Sequence, residues 1–174
     1  HCTVASGRWY DPYTNQTFTR AGDLDMDHFV PLRHAHGHGG DHWDDLSDGL
    51  PSRFGFILGV NPNDPNNIFV MPEDEATTDS VGGGRRYTTE AKMRVYRSQD
   101  GGDSWDAVTD GLPQAHAYVH AVREGMAVDG LDQCGVYIGT TAGKVFHSAD
   151  AGDSWRTLIE DLPPINSVEV AQLR

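Results

Sequence analysis

Two stretches near the front of the chain hold side chains able to bind metals or move protons. "DLDMDHFVPL" (Asp23 to Leu32) places Asp25 and Asp27 two residues apart, with His28 next to them. On an extended strand that spacing puts both carboxylates on one face. Carboxylate oxygens are hard ligands and suit Mg²⁺ or Mn²⁺. "HAHGHGGDH" follows, holding His34, His36, His38 and His42. Histidines alternating along a strand also share a face, and imidazole nitrogens suit Zn²⁺, Ni²⁺ or Cu²⁺. A solvated junction is the simpler reading of that stretch.

The elements that would position these groups are best read from a repeat. "SQDGGDSW" (Ser98 to Trp105) returns as "SADAGDSW" (Ser148 to Trp155). Trp105 leads into "DAVTDGLP", Trp155 into "RTLIEDLP" and Trp43 into "DDLSDGLP", so three units are expected. The His34–His42 stretch aligns with a worn copy of the same turn, which puts the join between front segment and repeats near residues 34–43. Between the first two units lies "EDEATTDSVGGGRRYTTEAK" (Glu73 to Lys92), polar and Gly-rich, expected as an exposed loop.

Each unit reads as strands and hairpins. "RVYRS" and "KVFHS" alternate apolar and polar residues as half-buried strands do. Asp100 and Asp150 can accept backbone N–H bonds and fold the following turn on themselves. Gly102 and Gly152 supply backbone angles that bulky residues resist. Trp105 and Trp155 begin the next strand and bring a large ring under the turn. "GVYIGTTAGKVFHS" reads as strand, Gly turn, strand. "RFGFILGVNPNDPNNIFVMP" reads likewise, with all of "NPNDPNN" as turn. Helical periodicity is hard to find, so the expected class is all-β.

Composition bounds the function. The chain has 174 residues and a formal net charge of −13. Residues 44–174 hold most of this charge, since residues 1–43 carry only three Arg against five Asp. So acidic a surface repels phosphate backbones at long range and argues against nucleic-acid binding by the bulk of the chain. No run of eighteen apolar residues spans a membrane. No leader segment is read at the front, and the compartment stays open. Cys2 and Cys134 lie far apart in sequence and are expected as two free thiols.

The eight-residue turns resemble Asp-boxes, also called BNR repeats, of sialidases and other β-propellers. Residues 43–174 resemble the C-terminal blades of bacterial sialidase-like repeat proteins. The resemblance implies a partial β-propeller of about three blades of antiparallel strands. Ser98, Asp100, Gly102, Trp105, Ser148, Asp150, Gly152 and Trp155 would be its structural residues, since Asp-boxes lie away from the catalytic centre. Sialidases carry an arginine triad, a Tyr/Glu pair and an Asp acid spread over six blades, which three units do not supply. Arg53, Arg97, Arg123 and Tyr137 match by residue type alone, and no role is assigned to them. The implied function is a non-catalytic binding or scaffold module without a cofactor, with a glycan or a protein as ligand. A closed propeller needs at least four blades, and an open arc leaves strand edges that invite association.

"VASGRWYDPYTNQTFTRAGDLDMDHFVPL" resembles instead the first part of an HNH (ββα-metal) nuclease domain. That resemblance implies a second domain at 1–42 and an alternative activity, metal-dependent cleavage of DNA. His28 would be the general base and Asp27 a ligand of Mg²⁺ or Mn²⁺, with Asp25 in support. Nucleic acid is a partner under this alternative only. The Asn- and Lys-rich helix that completes the family's metal site has no counterpart here, because the chain passes directly into "DDLSDGLPSRFGF". The expected segment is an incomplete, irregular β segment.

Overall fold

The computed structural model describes residues 9–11, 16–18, 46–52, 55, 57–73 and 87–171. The chain divides into two compact units, His1–Asp45 and Leu46–Arg174. In the first, β1 (Trp9–Asp11) pairs antiparallel with β2 (Gln16–Phe18), Trp9 opposite Phe18.

The second unit holds two four-stranded antiparallel sheets, each laid down in chain order. The first comprises β3 (Leu58–Asn61), β4 (Asp64–Val70), β5 (Val95–Ser98) and β6 (Asp106–Val108). The second comprises β7 (Met126–Val128), β8 (Val136–Gly139), β9 (Val145–Ser148) and β10 (Arg156–Ile159). A single 3-10 turn at Thr89–Ala91 is the extent of helix among the described residues. The fold is all-β, as its β-branched and aromatic strand residues dictate. Among the described residues no helix is long and apolar enough to cross a membrane.

The β3–β4 connection is tighter than its sequence suggests. Only Pro62 and Asn63 turn, and Asp64–Asn67 belong to β4. The Asn61 side-chain oxygen accepts the Asn63 N–H at 2.9 Å, and Asp64 Oδ1 accepts the Asn66 N–H at 3.1 Å. These local bonds let the strands close within two residues, at the cost of a register shift between Val60 and Asn61.

Pairing places Met126, Ile138 and Phe146 in one cross-strand row of the second sheet, with Val128 and Val136 beside them. This face packs against the first sheet. There Gly59, Phe69 and Arg97 form the matching row. A Cβ on Gly59 would lie 2.6 Å from Val128 Cγ2 and 2.7 Å from Met126 Sδ, so glycine is what lets the sheets approach. Phe69, Phe146, Val136 and Ile138 are at most 1% exposed. Burying side chains of this size contributes about 1.5–3 kcal/mol each.

The other face of the first sheet is the less buried one among the described residues. Leu58 stands opposite Val70 and Val60 opposite Ile68. Leu58 is 61% exposed and Val60 42%. With Leu46, Leu50 and Trp105 they line a cavity of about 390 Å³.

Candidate functional site

Antiparallel order gives the sheets two ends. One end carries the β3–β4, β5–β6, β7–β8 and β9–β10 connections, and the other carries the short β8–β9 and the longer β4–β5 and β6–β7 connections.

At the first end the two repeated turns share one hydrogen-bond plan. The Ser98 hydroxyl donates to Asp100 Oδ1 at 2.8 Å and accepts the Gly102 N–H at 2.8 Å. Asp100 then accepts the Ser104 N–H at 2.9 Å and the Ser104 hydroxyl at 2.6 Å. In the second turn Ser148 makes both corresponding bonds at 2.7 Å, and Asp150 takes Ser154 at 2.9 and 2.6 Å. Hydrogen bonds from the Ser104 hydroxyl, the Ser104 amide and the Ser98 hydroxyl lower the Asp100 carboxyl to about 2. Burial, the largest influence on Asp150, acts upward, but the bonds from Ser154 and Ser148 outweigh it and the net direction is down. These carboxylates are saturated with donors and committed to the ionised form, which suits a staple and not a proton carrier.

The tryptophans differ. Trp155 is 6% exposed and packs under Gly152. Trp105 is half-buried, and its indole N–H donates to the Leu46 carbonyl at 2.8 Å.

The opposite end holds a group that sequence reasoning placed in an exposed loop. Glu73 is 1% exposed, and its Oε1 meets His120 Nδ1 at 2.5 Å. Its backbone bridges to Thr88, also 1% exposed, whose hydroxyl donates to the Ala117 carbonyl at 2.7 Å. Glu73 and Thr88 of the expected loop are thus packed inside, because the chain returns on itself across the 73–88 bridge. Glu73 Oε2 is buried without a hydrogen-bond partner. A carboxylate set against Nδ1 fixes the ring's orientation. Residue type alone gave no signal for this pair, since Glu73 and His120 are brought together by the packing of distant connections.

A second polar group lies on the outward face of the second sheet. Asp129, 3% exposed, accepts the Gly135 N–H at 2.8 Å, the Leu131 N–H at 3.0 Å and the Tyr137 hydroxyl at 3.2 Å. The Tyr137 and His147 rings stack at 4.5 Å, and Arg156 Nε lies 3.4 Å from His147 Nδ1. Burial, then the Arg156 charge, pushes His147 below its usual range. Burial, then Asp129, pushes the Tyr137 hydroxyl up. Cys134 is buried with a free thiol, raised first by burial and then by Asp129.

Of the residues singled out by sequence, Cys2, Asp25, Asp27, His28, His34, His36, His38, His42, Trp43 and Arg53 lie outside the described residues. Among the described residues no group of three His, Cys, Asp or Glu could hold a metal ion. Arg97 donates to the Ala151 carbonyl at 2.8 Å and to Asp153 at 2.7 Å, so it links the two sheets.

No family model matches the chain. An uncharacterized secreted protein of Arthroderma benhamiae is 45% identical over 42 residues, covering 24% of this chain and 21% of the relative. The crystal structure of a GH74 enzyme from Niastella koreensis is similar at 20% identity and a TM-score of 0.39, covering 58% of this chain and 14% of that one. The chain therefore spans less than a quarter of the length of either.

Proposed function

We propose that residues 43–174 are Asp-box propeller blades, sialidase-like in kind, serving as a non-catalytic binding or scaffold module. The observation that carries this reading is the repetition of one plan. Ser98, Asp100 and Ser104 are bonded as Ser148, Asp150 and Ser154 are, in turns that join the third and fourth strands of two meander sheets. Repeats of this kind bury their faces against each other and leave connections at the ends to contact ligands. Both turn carboxylates are used up as staples, and the formal charge of −13 disfavours a nucleic-acid ligand. The test is incubation of the purified chain with a fluorogenic sialoside, beside a glycan-binding screen. Binding without turnover is expected. Turnover that persists through repurification would refute the non-catalytic reading.

A second reading, a metal-dependent HNH endonuclease, rests on the β1–β2 hairpin and the "DLDMDHFVPL" motif that follows it. It requires nicking of plasmid DNA with Mg²⁺ or Mn²⁺ that disappears in His28→Ala. Absence of nicking with either ion dismisses it.

A further inference from the structure

At the end of the sheets away from the repeated turns, the β4–β5 and β6–β7 connections meet in a seam. The Thr88 N–H donates to the Val119 carbonyl at 3.1 Å, and the Thr88 hydroxyl donates to the Ala117 carbonyl at 2.7 Å. The Ala117 N–H donates in return to the Ala91 carbonyl at 2.8 Å. Glu73 meets His120 across the same seam. Beneath it lies Met93, which is fully buried. Its N–H donates to the Pro113 carbonyl at 2.9 Å, and its carbonyl accepts the Gln114 side-chain amide at 2.7 Å.

Two kinds of energetic cost gather here. Glu90, Ala91 and His116 have φ of 58°, 53° and 55°, in the left-handed region that side chains with a Cβ enter only at a cost. The other such residues among the described ones are Cys134, Ala151 and Asp161, which lie apart from the seam in sequence. Glu73 Oε2 and Thr89 Oγ1 are buried without a hydrogen-bond partner. Apolar burial does little to offset either cost. The seam buries Glu73, Thr88 and Ala117, whereas the sheets bury Phe69, Val136, Ile138 and Phe146. A segment with little buried apolar surface opens at a lower free energy than the core beside it.

We propose that this seam is a clasp that opens by itself, parting Thr88–Ala91 from His116–Val119 while both sheets stay folded. Opening breaks the three seam hydrogen bonds and the Glu73–His120 contact. In exchange it releases Glu90, Ala91 and His116 from the left-handed region and lets Glu73 Oε2 and Thr89 Oγ1 reach water. Met93 and Pro113 form the hinge line, since Met93 is anchored in the core and keeps its bond to Pro113. Clasped and open forms give this end of the molecule two shapes, with the Glu73 carboxylate sealed in one and presented in the other. The device is separate from a binding or scaffold role and would operate whatever the sheets hold.

Native-state hydrogen exchange of the full chain, followed amide by amide in low concentrations of urea, tests this. The Thr88 and Ala117 amides should be at least about tenfold less protected than the slowest amides of β8 and β9, and their exchange should not respond to urea below the unfolding transition. Ala91→Gly removes strain from the clasped form and should raise the protection of both amides by about threefold or more. His116→Gly, at an exposed position, should act in the same direction. Asp161→Gly removes the same kind of strain, at φ 61°, outside the clasp, and should leave Thr88 and Ala117 as they were. Exchange of Thr88 and Ala117 that follows β8 and β9 in rate and urea dependence overturns the proposal. So does an unchanged protection in both Ala91→Gly and His116→Gly, or a gain from Asp161→Gly equal to that from Ala91→Gly.

Discussion

Arg97 reaches from β5 of the first sheet to the Asp153 carboxylate beyond β9, at 2.7 Å, while the same nitrogen donates to the Ala151 carbonyl at 2.8 Å. The arginine is mostly buried at 13% side-chain exposure, whereas Asp153 is 66% exposed. The carbonyl bond should therefore matter more than the ion pair. Arg97→Ala is expected to cost about 1–2 kcal/mol in urea unfolding. A double-mutant cycle with Asp153→Ala should return a coupling below about 1 kcal/mol, as for exposed pairs. A coupling well above that would show that the carboxylate is the main partner.

Acid should loosen the repeated turns. Asp100 titrates near 2 in the folded chain against 3.8 ordinarily, and Asp150 is also lowered. A depressed carboxylate adds stability that is complete above its unfolded value and is lost as pH falls towards the folded one. Urea midpoints should therefore drop as pH goes from 3.8 to about 2. Asp100→Asn and Asp150→Asn should each flatten that slope. An unchanged slope in both variants would rule the staples out as its source.

His147 acts in a higher window. Its folded ring is held below the usual 6.5 by burial and then by Arg156. Folding therefore favours the neutral ring. The contribution is complete above 6.5 and declines as pH falls beneath it, until the folded ring also takes a proton. His147→Gln should remove this part of the profile between about pH 8 and about pH 5, read by chemical denaturation.

Two glycines of the repeated "DGLP" should respond unequally to alanine. Gly111 has φ +83°, and an added Cβ would fall on the Trp155 carbonyl oxygen. The neighbouring Trp155 N–H is already bonded to the Asp110 carbonyl at 2.8 Å. Gly111→Ala should cost about 2–4 kcal/mol through backbone strain and collision. Gly49 has φ +88° but nothing within 4 Å of an added Cβ, so its alanine variant should cost about 1–2 kcal/mol. Equal shifts in thermal midpoint would mean that the approach to Trp155 is not the deciding term.

What the sequence made legible was local. Alternation in "RVYRS" and "KVFHS" marks β5 and β9, and the Ser–Asp–Gly spacing marks the turns, whose bonds all close within four residues, though the part played by Ser104 and Ser154 is not read from it. "NPNDPNN" reads as all turn, yet its Asn and Asp side chains serve strand ends as readily as turns. Glu73 reads as solvated because its polar neighbours suggest a loop, whereas its burial depends on Thr88 and His120, the latter 47 residues away. The pairing of Asp129 with Tyr137 was hidden for a similar reason, since it needs the β7–β8 connection to fold back. The less buried apolar face could be recognised only once register showed which of Leu58, Gly59, Val60 and Phe69 shared a side.

The chain-order meander of both sheets bears on how the protein is made. Within each sheet every strand but the last pairs with its immediate successor, so each hairpin can close while later residues are still leaving the ribosome. Most of these closures span few residues and cost little entropy. The β4–β5 junction is the exception, because Val70 must wait for Tyr96 and the span across Glu73 and Thr88 before the first sheet gains its third strand. Until then β3 and β4 form a hairpin still lacking β5, with Leu58, Val60, Ile68 and Val70 on one side, and an unpaired apolar hairpin of this kind is prone to aggregate during synthesis.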